Sequence, residues 1–188
     1  MSLAHVLLTS LIEKQSTGID LARRFDRSMG FFWNATHQQI YRELSGMQEK
    51  KWISTVQDPY TNSRKKTYQV EALGRSELAH WMVKQSPPAQ LREELMVRLR
   101  AEAQFGGNTV LPELERHLIL HTENLKIYQS IFTKDFANTD DEDRTQFIHK
   151  MILQLGIDLE IGWITWLEAL IPQLKAFDIK DELSHTSE

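Results

Sequence analysis

The chain has 188 residues with a formal net charge of −4, is 41% hydrophobic and 26% charged, and contains no cysteine. These values are typical of a water-soluble protein with one ordinary core or two small ones, and they exclude disulfides and thiolate metal sites. Residues 1–84 hold twelve Lys and Arg against eight Asp and Glu, whereas residues 85–188 hold ten against eighteen, so a polyanionic partner would meet the first part.

Two helices are predicted at the start of the chain. Apolar residues recur at helical spacing from Leu3 to Leu11 and predict a first helix that ends near Lys14. A second helix follows Thr17, whose hydroxyl can accept from an unpaired amide, and ends near Met29. No basic segment precedes the first apolar residues, and no apolar run nears the roughly 20 residues of a membrane span. We therefore expect a cytoplasmic protein with no membrane partner.

The third predicted helix runs from Thr36 to Lys50. The pattern Thr36-x-x-Gln39 is a capping box, in which the hydroxyl and the amide side chain satisfy each other's neighbouring backbone donors. At 100° per residue, one face of this helix is apolar and the rest is polar. The expected inner face is Ile40, Leu44 and Met47; the expected outer face and flanks are Gln38, Gln39, Tyr41, Arg42, Ser45 and Glu49.

A β-hairpin and a fourth helix are expected next. Residues 53–57 and 67–70 alternate in polarity, as two short strands do. The loop between them is rich in turn residues and carries the cations Arg64, Lys65 and Lys66. The fourth helix is predicted near residues 72–84, and its expected buried positions are Leu73, Leu78 and Trp81.

The segment Ser86-Pro87-Pro88 cannot continue a helix and marks the predicted domain boundary, with domains at 1–86 and 87–188. The second domain is predicted to hold helices at about 89–103, from residue 111 onward and at about 141–177, with Pro172 bending or fraying the last. A seam spaced by three and four residues runs along the middle helix: Leu111, Leu114, Leu118, His121, Leu125, Tyr128 and Phe132.

The last helix repeats this pattern with a broad apolar stripe. The stripe comprises Phe147, Ile148, Met151, Ile152, Leu155, Leu159, Trp163, Trp166, Leu170 and Leu174. Two helices packed only on each other would leave much of it in water, and a patch of that size usually marks an interface. We therefore predict a two-fold homodimer with these interface residues: Leu118, Leu125, Ile152, Leu155, Leu159, Trp163, Trp166 and Leu170.

The order of elements predicts a mainly α fold with an N-terminal winged helix-turn-helix, made of three to four helices and a two-stranded hairpin wing, followed by a C-terminal long-helix dimerisation domain. In such proteins the third helix enters the major groove of double-stranded DNA, and a dimer meets two half-sites. Amide side chains can pair with adenine and Arg42 with guanine, whereas lysines bind phosphates. The predicted DNA-binding residues are Asn34, Thr36, His37, Gln38, Gln39, Tyr41, Arg42, Lys50, Lys51, Arg64, Lys65 and Lys66.

Other candidate sites are weaker. Phe31, Phe32 and Trp33 are predicted to pack against the helices and not to stack on DNA. Glu113, His117 and His121 are spaced by four on one helix, but nothing completes a tetrahedral metal site, so no metal or other cofactor is predicted. Nothing resembles a P-loop, a nucleophile elbow or a zinc-protease helix, so an enzyme is not expected.

The sequence resembles the PadR family of bacterial transcriptional regulators and, within it, the AphA-like subgroup. The resemblance lies in LLTSLIEKQSTGIDLARRF, GFFWNATHQQIYRELSGMQEKKWI and RKKTYQV followed by GRSEL, and more loosely in WITWLEAL. It implies an N-terminal winged helix, a dimer of exchanged C-terminal helices and sequence-specific binding to promoter DNA. Glu71 departs from the family, which usually has a threonine there at the start of the fourth helix.

Two alternatives stay open at this point. The protein could be a ligand-responsive repressor with an aromatic-lined effector pocket around Trp163 and Trp166 at the dimer interface. It could also be a helical scaffold that binds proteins and not DNA. Charge reversal at Arg64, Lys65 and Lys66 separates the scaffold from a regulator, because only a regulator loses DNA affinity and salt dependence.

Overall fold

A computed structural model describes residues 2–27, 33, 35–56, 66–136 and 143–185. The chain divides into two compact units, residues 1–89 and 90–188. The helices are α1 (Leu3–Glu13), α2 (Gly18–Arg27), α3 (His37–Glu49), α4 (Ala72–Met82), α5 (Glu94–Phe105), α6 (Leu111–Phe136) and α7 (Arg144–His185). The strands are β1 (Ser16–Thr17), β2 (Ile53–Val56) and β3 (Thr67–Val70). The predicted mainly α fold with a hairpin wing is confirmed.

The first unit packs α1 to α4 around one apolar core. Helix α1 contributes its buried face, and α3 contributes the three residues predicted for its inner side. Half-buried aromatic rings close the core at its edges. The buried core residues are Ala4, Leu7, Leu8, Leu11, Leu21, Ala22, Phe25, Ile40, Leu44, Met47, Ile53 and Leu78.

The sheet has three strands and not the predicted two. Its antiparallel order is β1-β3-β2, with Ser16 opposite Tyr68 and Thr17 opposite Thr67. A strand of two residues has no periodicity to detect, which is why the sequence pattern did not reveal it. Thr17 also caps α2 as predicted, because its hydroxyl oxygen accepts from the Asp20 backbone amide at 3.2 Å.

Glu71 connects the base of the wing to the start of α4. Its carboxylate accepts from the Ser54 hydroxyl at 2.5 Å and from Gln69 Nε2 at 3.1 Å, and these hydrogen bonds hold the pKa of Glu71 below its usual range. Its backbone amide donates to the Trp52 carbonyl oxygen at 2.9 Å. Although Glu71 does not cap α4 through its side chain, it ties both wing strands to the helix.

The predicted buried positions of α4 need one correction. Leu78 is buried and Trp81 packs against the core, but Leu73 is 57% exposed. Its neighbour Gly74 is the buried residue, because α4 lies so close to Trp52 that a side chain does not fit there. The apolar pattern alone could not distinguish these two adjacent positions.

The second unit is built mainly from α6 and α7, which pack along each other. Three predicted boundaries were wrong. Helix α5 begins at Glu94 and not at residue 89, since the Glu93 carboxylate accepts from the Leu95 amide and caps it there. Helix α7 begins after Asp143, which accepts from the Gln146 amide at 2.8 Å. It continues past Pro172 to His185, so the predicted fraying at Pro172 does not occur.

The core of this unit centres on two residues of α7 that the predicted stripe did not include, Leu167 and Ile171. Its buried residues are Leu95, Val110, Leu114, Leu167 and Ile171, and Leu118, Trp166, Leu170 and Leu174 pack against them. The N-terminal half of α7 leaves its stripe exposed instead: Phe147, Ile148, Met151, Ile152, Leu155 and Leu159. Of the residues predicted for a dimer interface, Leu118, Trp166 and Leu170 therefore already contact their own core.

Candidate nucleic-acid interface

Helix α3 begins at a complete capping box. The Gln39 backbone amide donates to Thr36 Oγ1 at 3.2 Å, and the Thr36 backbone amide donates to Gln39 Oε1 at 2.8 Å. Two backbone donors that a helix start leaves unpaired are thereby satisfied. The predicted start of α3 is confirmed, and the side chains after Thr36 emerge at a fixed point.

The two faces of α3 differ sharply in burial. The inner residues Ile40, Leu44 and Met47 have no exposed surface. Because they lock the helix against the core, they also fix the direction of the opposite side. That side carries the predicted polar residues, and a concave surface there is lined by Thr36, Gln38, Gln39, Tyr41, Arg42 and Ser45.

The structure separates the two adjacent glutamines. Gln39 uses its amide oxygen to accept from Thr36, whereas Gln38 is exposed on the outer face. A bidentate pair with adenine needs both the oxygen and the nitrogen of the amide. Gln38 can form such a pair without opening the capping box, and Gln39 cannot.

Helix α3 ends in a Schellman motif. The Trp52 amide donates to the Met47 carbonyl oxygen at 2.9 Å, and the Lys51 amide donates to the Gln48 carbonyl oxygen at 2.9 Å. Lys51 has φ of 57° and occupies the left-handed position that glycine usually takes in this motif. A lysine is therefore held at the helix end in a conformation that costs it free energy.

The predicted phosphate-binding cations lie at the end of α3 and beside the wing. Lys50, Lys51 and Lys66 are exposed. Lys50 Nζ lies 4.6 Å from the centroid of the Trp52 ring, a distance at which a cation interacts with the ring face. The predicted residues Asn34, Arg64 and Lys65 lie outside the described residues, as do Phe31 and Phe32.

Trp33 packs against the core of the first unit, together with Ala35. It is half-buried, as predicted for a residue that anchors the segment before α3. Its large ring contributes buried apolar area just ahead of the capping box. The orientation of α3 thus depends on packing on both sides of Thr36.

Two family descriptions together match most of the chain. Residues 7–80 match the transcriptional regulator PadR-like family, and residues 91–175 match the family described as virulence activator alpha C-term. A probable transcriptional regulator of Mycobacterium tuberculosis is 32% identical over 186 residues, covering 93% of this chain and 98% of that protein. The chain belongs to the PadR-like family of transcriptional regulators.

Solved structures of other regulators share the fold of this PadR-like regulator. The Vibrio cholerae virulence activator AphA matches it with a TM-score of 0.78 and 28% identity, over 94% of this chain and 99% of that one. Bacillus subtilis PadR in complex with operator DNA matches with a TM-score of 0.79 and 23% identity, over 91% and 97%. The predicted family, its AphA-like character and the non-enzymatic role are confirmed.

A polar cluster lies between α6 and α7 of the regulator. His121 Nδ1 is 2.5 Å from Glu160 Oε2, Asn124 donates to Glu160 Oε1 at 3.3 Å, and the Trp163 ring stacks on His121 with centroids 5.1 Å apart. Burial raises the pKa of the nearby Tyr128 hydroxyl, and the Glu160 carboxylate raises it further. No sequence pattern pointed to Glu160, because a buried acid inside an apolar stripe looks like a surface residue.

The acid and the two histidines of α6 that were considered as metal ligands contact other side chains instead. Glu113 accepts from Arg116 Nε at 2.8 Å, which lowers its pKa to about 2, and lies 3.4 Å from His117 Nε2. No three metal-binding side chains in the described part of the chain are placed to share an ion. Nor is any helix among those residues long and apolar enough to cross a membrane.

Proposed function

We propose that this PadR-like regulator binds double-stranded DNA as a cytoplasmic homodimer and inserts α3 into the major groove. Residues 1–86 form the DNA-binding domain and residues 87–188 the dimerisation domain. Two copies of α3 meet two half-sites of a pseudo-palindromic operator, about one helical turn apart. The observation that carries the proposal is the exposed polar face of α3 opposite a face with no exposed surface.

Sequence is read by Gln38 and Arg42 in this proposal. Both are exposed on the first two turns of α3, the part of such a helix that meets base edges. Arg42 offers paired donors to guanine, and Gln38 offers a donor and an acceptor to adenine. Lys50, Lys51 and Lys66, with Arg64 and Lys65, bind phosphates and set register and salt dependence. Bacillus subtilis PadR, which shares the fold, was solved in complex with operator DNA, and this supports DNA as the partner.

Dimerisation is supported by the exposed apolar stripe of α7. Leu155 and Leu159 are each 59% exposed in one protomer, and Met151 and Ile152 lie on the same side. A soluble protein seldom leaves so continuous an apolar surface in water. A second copy covers it most simply, since two-fold pairing presents the same face from both partners.

Arg42→Ala is expected to weaken binding to the operator by roughly 5- to 150-fold, the value of one base-reading pair. The operator is first isolated by selecting bound fragments from genomic DNA, and affinity is then measured by fluorescence anisotropy. Non-specific affinity should fall much less, because Arg42 reads a base and not the backbone. Gln38→Ala should relax discrimination at a different base pair.

The matched control is Arg75→Ala, which removes the same charge from an exposed position on α4. It should leave operator affinity and base preference unchanged. If Arg42→Ala and Arg75→Ala reduce affinity equally and neither changes base preference, α3 does not read DNA and the proposal is wrong.

Lys51→Gly is expected to change stability and DNA affinity in opposite directions. Glycine adopts φ of 57° without steric cost, so the substitution should raise the free energy of unfolding by about 1 kcal/mol. DNA affinity should nevertheless fall, and the dependence of log affinity on log salt should become shallower by about 0.9 for each phosphate that the variant no longer binds. Urea denaturation and binding at several salt concentrations check both expectations; unchanged DNA affinity would remove Lys51 from the interface.

A further inference from the structure

Gly18, the first residue of α2, is a glycine for which the backbone gives no reason. Its φ lies outside the left-handed range that favours glycine. The reason for a glycine at this position is the packing of α3 against the start of α2.

The ring of Tyr41 occupies the space that a side chain at Gly18 would need. A Cβ atom added at Gly18 would lie 2.6 Å from Tyr41 Cε1 and 3.3 Å from both Cζ and the hydroxyl oxygen. Tyr41 is nevertheless 41% exposed. The edge of the ring that carries the hydroxyl therefore packs against the backbone of α2, and Tyr41 also lines the outer face of α3 together with Arg42 and Gln38.

Several contacts fix the position of Gly18 and of the Tyr41 ring that packs on it. Gly18 directly follows β1, which pairs with β3 of the wing, and Thr17 caps α2 through Asp20. Tyr68 of β3 lies close enough to Tyr41 for the phenol of Tyr41 to raise its pKa, after the larger effect of burial. The end of the wing, the start of α2 and the outer face of α3 thus meet at one point.

We propose that Gly18 is a positioning residue for DNA binding, because it leaves room for the Tyr41 ring and so holds the Tyr41 hydroxyl where the start of α2 meets the outer face of α3, in contact with the DNA backbone. This inference rests on the proposed function. It adds Gly18, which contacts no DNA, to the residues that determine affinity. It also gives Tyr41 a fixed orientation, which an exposed tyrosine on a helix ordinarily lacks.

The test is a set of double-mutant cycles on operator DNA. Gly18→Ala should displace the ring and weaken binding by about tenfold, the order of one hydrogen bond to a charged group. Tyr41→Phe, which keeps the ring and removes the hydroxyl, should weaken binding to a similar extent. In the Tyr41→Phe background, Gly18→Ala should lower the melting temperature but cause no further loss of affinity.

The Tyr41→Ala background keeps the test decisive if the Gly18→Ala protein is too unstable to bind. Removing the ring opens the space, so Gly18→Ala/Tyr41→Ala should melt at or above the temperature of Tyr41→Ala alone. A double variant that unfolds would show that the ring is not the obstacle and would overturn the inference. The matched control is Gly46→Ala on α3, where an added Cβ meets no atom within 4 Å; its melting temperature should not fall.

Two further results would also overturn it. One is wild-type affinity in the Gly18→Ala protein. The other is an equal loss of affinity from Gly18→Ala in the wild-type, Tyr41→Phe and Tyr41→Ala backgrounds, as expected of a purely structural effect. These failures differ from failure of the proposed function, in which the wild-type protein itself would not select any DNA.

Discussion

Gly74→Ala should lower the free energy of unfolding of the first unit by about 3 kcal/mol, the upper end of the usual cost of overpacking. A Cβ atom at Gly74 would lie 2.3 Å from the Trp52 carbonyl oxygen and 3.0 Å from the Trp52 carbonyl carbon. Backbone atoms cannot rotate away as a side chain can. This carbonyl also accepts from the Glu71 amide, so displacing it would strain a hydrogen bond at the start of α4 as well.

For Gly46→Ala, which is the same chemical change, we expect the free energy of unfolding to rise and not to fall. Gly46 lies within α3, and no atom stands within 4 Å of an added Cβ there. Replacing a helical glycine by alanine in open space should stabilise the unit by about 0.5–1 kcal/mol. Urea denaturation followed by far-ultraviolet circular dichroism measures both variants. Equal effects of the two substitutions would show that packing at Trp52 is looser than the structure indicates.

These two glycines show that the sequence predicts features set by local signals and not those set by tertiary packing. The start and inner face of α3 were predictable because a capping box and a helical repeat are local signals. The closeness of Gly74 to Trp52 depends on how α4 packs against β2, and no local pattern encodes it. The same limit applies to Gly18, whose role depends on Tyr41, 23 positions further along the chain.

The candidate site was predictable in outline and not in detail. The polar face of α3 follows from residue spacing, but the engagement of Gln39 in the capping box decides which glutamine is available. Strand β1 was missed because Ser16 and Thr17 also fit a helix start. In the second unit, the apolar residues of α7 are too many for one neighbour, and only the structure shows which of them pack on α6.

The exposed stripe of α7 leads to the largest expected effect on DNA binding. Leu155→Glu/Leu159→Glu should convert the dimer to a monomer. A two-fold dimer would bury four of these leucines, and each contributes about 1.5 kcal/mol or more on burial. Removing them would weaken association by about 6 kcal/mol, which is roughly four orders of magnitude in the dissociation constant. Carboxylates in an apolar interface add a further desolvation cost.

Operator affinity should fall by about a hundredfold or more in this variant, because a monomer binds one half-site and loses the gain from linked binding. Leu73→Glu is the matched control, since Leu73 on α4 is 57% exposed against 59% for Leu155 and Leu159. It should remain dimeric and bind the operator normally. Sedimentation equilibrium and fluorescence anisotropy distinguish the variants. If the Leu155→Glu/Leu159→Glu protein stays dimeric, the two copies must pair through another surface, such as that of the exposed Ile119 and Leu120 on α6.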